Sequence, residues 1–135
     1  MFEPRLPHAF GQYELLEELA RGGMGVVYLA HDAEARCDVA LKVLDCPAHV
    51  PVRVVKREIA LSSAVGGHAN LASLLDVFAA SRRELVIVWE KIEGPDLLEL
   101  LNETGSALPE GRAAFLAAQL LRAVAFLHTS GFAHR

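Results

Sequence analysis

A cluster of glycines at Arg21-Gly22-Gly23-Met24-Gly25, set between short apolar segments at 13–19 and 26–30, constrains this chain more than any other feature. Glycine lacks a Cβ, so such a turn can take positive φ and bring backbone N–H groups close to an anion. A hairpin turn that needs only positive φ would carry the same residues. The segment after the glycines narrows the choice. A dinucleotide-binding unit runs from its glycines into a helix, and a Walker loop carries Gly-Lys-Ser or Gly-Lys-Thr. Here Val26-Val27-Tyr28-Leu29-Ala30 continues as a strand and the pair Gly-Lys occurs nowhere, which disfavours both.

The run Cys37-Asp38-Val39-Ala40-Leu41-Lys42-Val43-Leu44 alternates and is β-branched enough for a third strand, ended by Cys46-Pro47. A helix is expected from near Pro51, with Val55, Glu58, Ile59 and Ser62 at three- and four-residue spacing, stopping at Gly66-Gly67. Two further strands are expected at 71–79 and 85–89, joined by Ser81-Arg82-Arg83-Glu84. An α+β fold is implied, with a five-stranded antiparallel sheet and one inserted helix. Beyond Trp89, Glu93-Gly94-Pro95 breaks the strand and 96–101 has a short helical pattern. A longer helix is expected over 109–128, with Leu116, Leu120, Val124 and Leu127 as its stripe and Gly131 as a left-handed cap. The expected divisions are an extended lead-in at 1–12, a small unit at 13–93 and the beginning of a second, helical unit at 94–135.

Lys42 lies inside an apolar strand, where an amine is costly without a partner. It is either an edge lysine reaching solvent or one member of an ion pair. Glu58, on the inward face of the following helix, supplies the opposite charge, and an amine so anchored can hold phosphate oxygens. The 13 basic and 17 acidic residues are interspersed and give a net charge of −4. That balance offers no footprint for nucleic acid or an anionic membrane, so any phosphate site must be local. Cys37 and Cys46 form no CxxC pattern, the histidines form no metal-ligand run, and two free thiols in a reducing compartment are expected. The start MFEPRLPHAF lacks the apolar core of a signal peptide and no 18-residue apolar run occurs, from which a soluble, cytoplasmic protein is expected.

Glycine turn, strand lysine, helix acid and a break after the fifth strand, in that order, resemble the eukaryotic-type protein kinases, over about residues 13–135. Leu19-Ala20-Arg21-Gly22-Gly23-Met24-Gly25-Val26-Val27 resembles their phosphate loop, Val39-Ala40-Leu41-Lys42 their lysine strand, and Glu58 their helix C acid. The resemblance implies that residues 13–93 form the ATP-binding small lobe, that 94–135 begin the large lobe, and that Lys42 and Glu58 pair to hold the α- and β-phosphates. It implies that Val27 and Ala40 sandwich adenine, and that the Glu90 carbonyl and Ile92 amide bond its edge. Trp89 would stand behind the adenine, and Asp96 would reach the ribose or simply cap a helix.

Three residues depart from the family pattern. Ala20 replaces its first loop glycine, Trp89 is a large gatekeeper, and Ser62 is polar where an aliphatic residue usually packs. The resemblance also places the catalytic aspartate directly after Arg135, and no Asp-Phe-Gly triplet occurs. The acids that hold Mg²⁺ are therefore not expected among these residues. An incomplete domain of a protein serine/threonine kinase is expected, acting on ATP and a protein substrate in its parent and inactive as a 135-residue chain. The alternative is a non-catalytic kinase-like module that binds a partner.

Overall fold

Val26, Tyr28 and Ala30, with Val39, Leu41 and Val43, can be buried together only on one side of a pleated sheet. The computed structural model, which describes residues 8–23, 25–45, 67–105 and 107–133, shows that sheet. Its strands are β1 (His8–Phe10), β2 (Tyr13–Gly22), β3 (Gly25–Asp32), β4 (Cys37–Asp45), β5 (Leu74–Ala79) and β6 (Glu84–Glu90). Every neighbouring pair is antiparallel, in the order β1-β2-β3-β4-β6-β5. Val26 faces Val43, Tyr28 faces Leu41 and Ala30 faces Val39, and all six are buried. In β6, four consecutive residues from Leu85 to Val88 are buried, as befits a strand between two neighbours and covered on both faces.

The sheet has six strands where five are expected from the sequence. The additional one, His8–Phe10, lies in the expected lead-in and is too short to display a period of two. It folds back onto residues 13–15 through a turn in which Gly11 has φ 59°. The helix expected between Pro51 and Gly66, and Glu58 with it, lies outside the described residues. So do Met24, Cys46, Ser62, His134 and Arg135.

The sheet curls. Tyr13 of β2 stacks on Phe78 of β5, with ring centroids 5.8 Å apart and planes 9° from parallel, although four positions separate these strands in the sheet order. The Tyr13 hydroxyl donates to Asp76 Oδ2 at 3.1 Å. A second tie joins the β1–β2 and β3–β4 turns, where the Ala33 amide donates to the Gln12 carbonyl at 3.0 Å. Asp32, buried at the end of β3, accepts from the Glu34 and Ala35 amides at 2.9 Å each. Those bonds, the one from Ala35 foremost, hold its carboxyl below the ordinary range.

Two helices come after the sheet, α1 (Leu97–Glu103) and α2 (Glu110–Thr129). Helix α2 ends as expected at Gly131, whose φ is 82°. Phe132 N–H bonds to the Leu127 carbonyl at 2.9 Å and Gly131 N–H to that of His128 at 3.0 Å, the paired bonds of a Schellman motif. The segment before β5 seats against this helix: His68 stacks on Phe126 at 4.7 Å, and Asn70 Nδ2 donates to Gln119 Oε1 at 3.1 Å. Among the described residues, no helix is long and apolar enough to cross a membrane.

Burial, reinforced by the bond to Asp76, pushes the Tyr13 phenol up to about 12. A group whose folded pKa lies above its unfolded value near 10 stabilises the fold fully below that value and loses the contribution as pH rises through the folded one. Urea-denaturation midpoints are therefore expected to fall between pH 10 and about 12. Tyr13→Phe should flatten that fall, at a cost of about 1 to 2 kcal/mol at neutral pH for the lost bond to Asp76. An identical alkaline profile for the two proteins would remove Tyr13 from this role.

Candidate functional site

The pleat that buries Val26, Tyr28, Leu41 and Val43 on one face turns the intervening residues to the other. Across that second face, register aligns Ala20 with Val27, Val27 with Lys42, and Lys42 with Ile87. The next row is Leu29, Ala40, Trp89 and Leu74. Lys42 is half-buried in the middle of this surface. Above it the β2–β3 hairpin closes with Gly22 opposite Gly25.

Gly25 is the glycine that the local geometry requires. Its φ is 140°, and a Cβ there would fall on the Val43 carbonyl oxygen of β4. Absence of a side chain thus brings the hairpin down against the lysine strand. Around Gly22 and Gly23 the space is open. The result is a cavity of about 280 Å³ lined by Ala20, Arg21, Gly22, Gly23, Gly25, Val27 and Lys42. Backbone N–H groups at a glycine hairpin beside an amine are a chemistry for phosphate oxygens.

The remaining candidate residues lie elsewhere. Leu19 is half-exposed, and the Val26 side chain belongs to the core, so Val26 can serve the loop only through its backbone. Among the described residues, the lining of the glycine cavity includes none of Ala40, Trp89, Glu90, Ile92 or Asp96. Ala40 and Trp89 adjoin it on the same face as direct cross-strand partners. Glu90 is tied by backbone and side chain to Ser73: its N–H donates to the Ser73 carbonyl at 3.0 Å, and its Oε1 accepts from the Ser73 amide at 2.7 Å. Ile92 is exposed and lines a separate cavity of about 420 Å³ with Asn70, Leu116 and Gln119, among others. Asp96 is the N-cap of α1. Its Oδ1 accepts from the Glu99 amide at 2.8 Å, while Glu99 Oε2 accepts from the Asp96 amide at 2.9 Å.

Sequence reasoning passed over Glu18, whose carboxylate grips the Arg21 guanidinium. The contact depends on an irregularity in strand pairing that no residue pattern displays. Among the described residues, no group of three or more His, Cys, Asp or Glu side chains could hold a metal ion. The glycine cavity has the Lys42 amine in its lining to meet an anion, and among the described residues that line it there is no carboxylate for Mg²⁺.

Residues 13–135 match the family model described as "Protein kinase domain". The chain is 36% identical over 128 residues to the serine/threonine-protein kinase pkn2 of Myxococcus xanthus, covering 93% of this chain and 15% of that protein. It is 35% identical over 129 residues to CBL-interacting protein kinase 20 of Oryza sativa subsp. japonica, with coverages of 92% and 28%. To CDPK-related kinase 4 of Arabidopsis thaliana it is 30% identical over 131 residues, with coverages of 93% and 22%. It therefore spans less than a third of each of these relatives.

Gly25→Ala tests the approach of hairpin to lysine strand. It places a methyl group on the Val43 carbonyl in a backbone region that alanine rarely adopts. The expected loss is roughly 1 to 3 kcal/mol in chemical denaturation. Gly23→Ala, in open space, should cost less. Equal stability for the two variants would mean that the hairpin does not sit against β4.

Proposed function

The chain belongs to the protein kinase family, and from that premise we propose that the glycine cavity binds the phosphates of ATP. The observation that carries this reading is the cross-strand register that sets Lys42 beside Val27 beneath the Gly22–Gly25 closure. Lys42 supplies the cation for the α- and β-phosphates, with Glu58, outside the described residues, as its anchoring acid. Val27 and Ala40 hold the adenine between them, Trp89 closes the space behind it, and the Glu90 carbonyl and Ile92 amide bond its edge. Asp96 reaches the ribose while its Oδ1 caps α1.

In the parent protein the reaction is transfer of the ATP γ-phosphate to a serine or threonine hydroxyl of a protein substrate, in the cytoplasm. Residues 13–93 are the small lobe of that kinase and 94–135 the beginning of its large lobe. Chemistry of this kind depends on holding the nucleotide, the metal ions and the acceptor hydroxyl from two sides. The glycine hairpin, Lys42 and their neighbours hold one side. No carboxylate cluster for Mg²⁺ stands among the described residues, so no step is assigned to the metal.

ATP titration against the 135-residue chain should give saturable binding, weakened about tenfold or more by Lys42→Met through loss of a charge-assisted contact. A radiolabelled transfer assay with a generic protein substrate should show no turnover. Absence of any ATP binding would sink the nucleotide reading. Transfer that disappears in Lys42→Met would show that these residues suffice for catalysis.

Trp89 provides a second test, because it is the cross-strand partner of Ala40, which the proposal assigns to the adenine site. Trp89→Gly should admit purine analogues carrying bulky N6 groups, at a cost in stability of roughly 3 to 5 kcal/mol from the cavity left behind. Unchanged analogue affinity in a folded variant would place Trp89 away from the nucleotide.

A further inference from the structure

β2 pairs with β3 irregularly at two places, between Leu15 and Glu17 and between Glu18 and Ala20. In a regular strand, residues three apart point to opposite faces. The second irregularity inserts Leu19 as an extra residue, so Glu18 stands opposite Tyr28 and Arg21 opposite Val26, two positions of the core face. Glu18 and Arg21 are thereby brought to the same side and meet. Arg21 Nε donates to Glu18 Oε1 at 2.9 Å, and Arg21 Nη2 donates to Oε2 at 2.6 Å. Two parallel bonds from a planar guanidinium fix orientation as well as distance. They also hold the Glu18 carboxyl below its ordinary range.

Between the paired residues, Ala20 aligns with Val27 on the cavity face. The other arm of the hairpin is seated against β4 where Gly25 meets the Val43 carbonyl. Building on the nucleotide reading of the cavity, we infer that the Glu18–Arg21 pair is a clasp: it locks the strand irregularity and holds the leading arm of the glycine hairpin over the cavity. Both are positioning residues. Arg21 acts through its grip on Glu18, and its guanidinium is not the ligand for phosphate.

Backbone amide exchange of the ligand-free chain tests the clasp directly. Glu18→Gln and Arg21→Gln should each speed exchange over residues 20–23 and at Gly25 by roughly threefold to fivefold, the range open to a well-formed exposed ion pair. The charge-swapped pair Glu18→Arg with Arg21→Glu should restore protection. ATP titration then separates the clasp from bare charge. Removing a negative charge beside a phosphate site would by itself tighten ATP binding, whereas a loosened hairpin should weaken it about threefold in Glu18→Gln. Unchanged exchange in both single variants, no recovery in the swapped pair, or tighter ATP binding by Glu18→Gln would overturn the clasp. Failure of the unaltered chain to bind ATP would overturn the nucleotide reading instead, and exchange in the ligand-free chain would still decide the clasp.

Discussion

The register between β3 and β4 is the constraint on which the rest of the molecule depends. Once Val26 lies opposite Val43 and Tyr28 opposite Leu41, the pleat leaves Val27 and Lys42 no choice but the other face. A slip of one residue would bring Lys42 into the core and turn Leu41 and Val43 out of it. Burying that amine without a partner would cost several kcal/mol, so burial of the apolar row and presentation of the lysine are one event. The candidate site is thus the reverse side of the hydrophobic core.

Curling of the sheet carries the same constraint to its edges. Stacking of Tyr13 on Phe78, with the Tyr13 hydroxyl on Asp76, joins the second strand of the sheet to the last. Tyr13 belongs to the core cluster, and Phe78 packs against it. Aromatic burial supplies the larger share of that join, and the hydrogen bond gives the polar end of the ring a partner. By closing over the core, the sheet keeps Leu15 and Tyr28 from water and leaves its second face for the hairpin and Lys42.

Helix α2 is attached differently. It meets the segment before β5 through the His68–Phe126 stack and the Asn70–Gln119 bond, and it buries Ala123 and Leu127. Phe115, Leu120 and Leu121 are exposed on the same helix. The apolar stripe expected from Leu116, Leu120, Val124 and Leu127 therefore divides, with Leu127 buried, Leu116 and Val124 half-buried and Leu120 exposed. Periodicity establishes that a helix has an apolar side. It carries no information on how much of that side a neighbour covers.

Much of this molecule was legible in local residue patterns. The apolar run at 26–30, the alternation at 37–44, the glycine cluster and the Gly131 cap each act over a few residues, and the strands and helix ends lie close to where those patterns put them. Lys42 stood out because an amine in an apolar strand is anomalous by itself. The Lys42–Glu58 pairing, read from the sequence, lies outside the described residues. Other features were decided by residues distant along the chain. His8–Phe10 became a strand only because β2 offered an unpaired edge, since three residues are too few to show a period. Gly25 had to be glycine because of the Val43 carbonyl, an atom of another strand. Glu18 came to face Arg21 because pairing with β3 slipped by one residue at Leu19. Sequence determines what each segment can bury and where the backbone can turn, because those depend on side chains and φ angles close at hand. Which groups then meet across strands is a matter of register, and register is settled only when the whole sheet assembles.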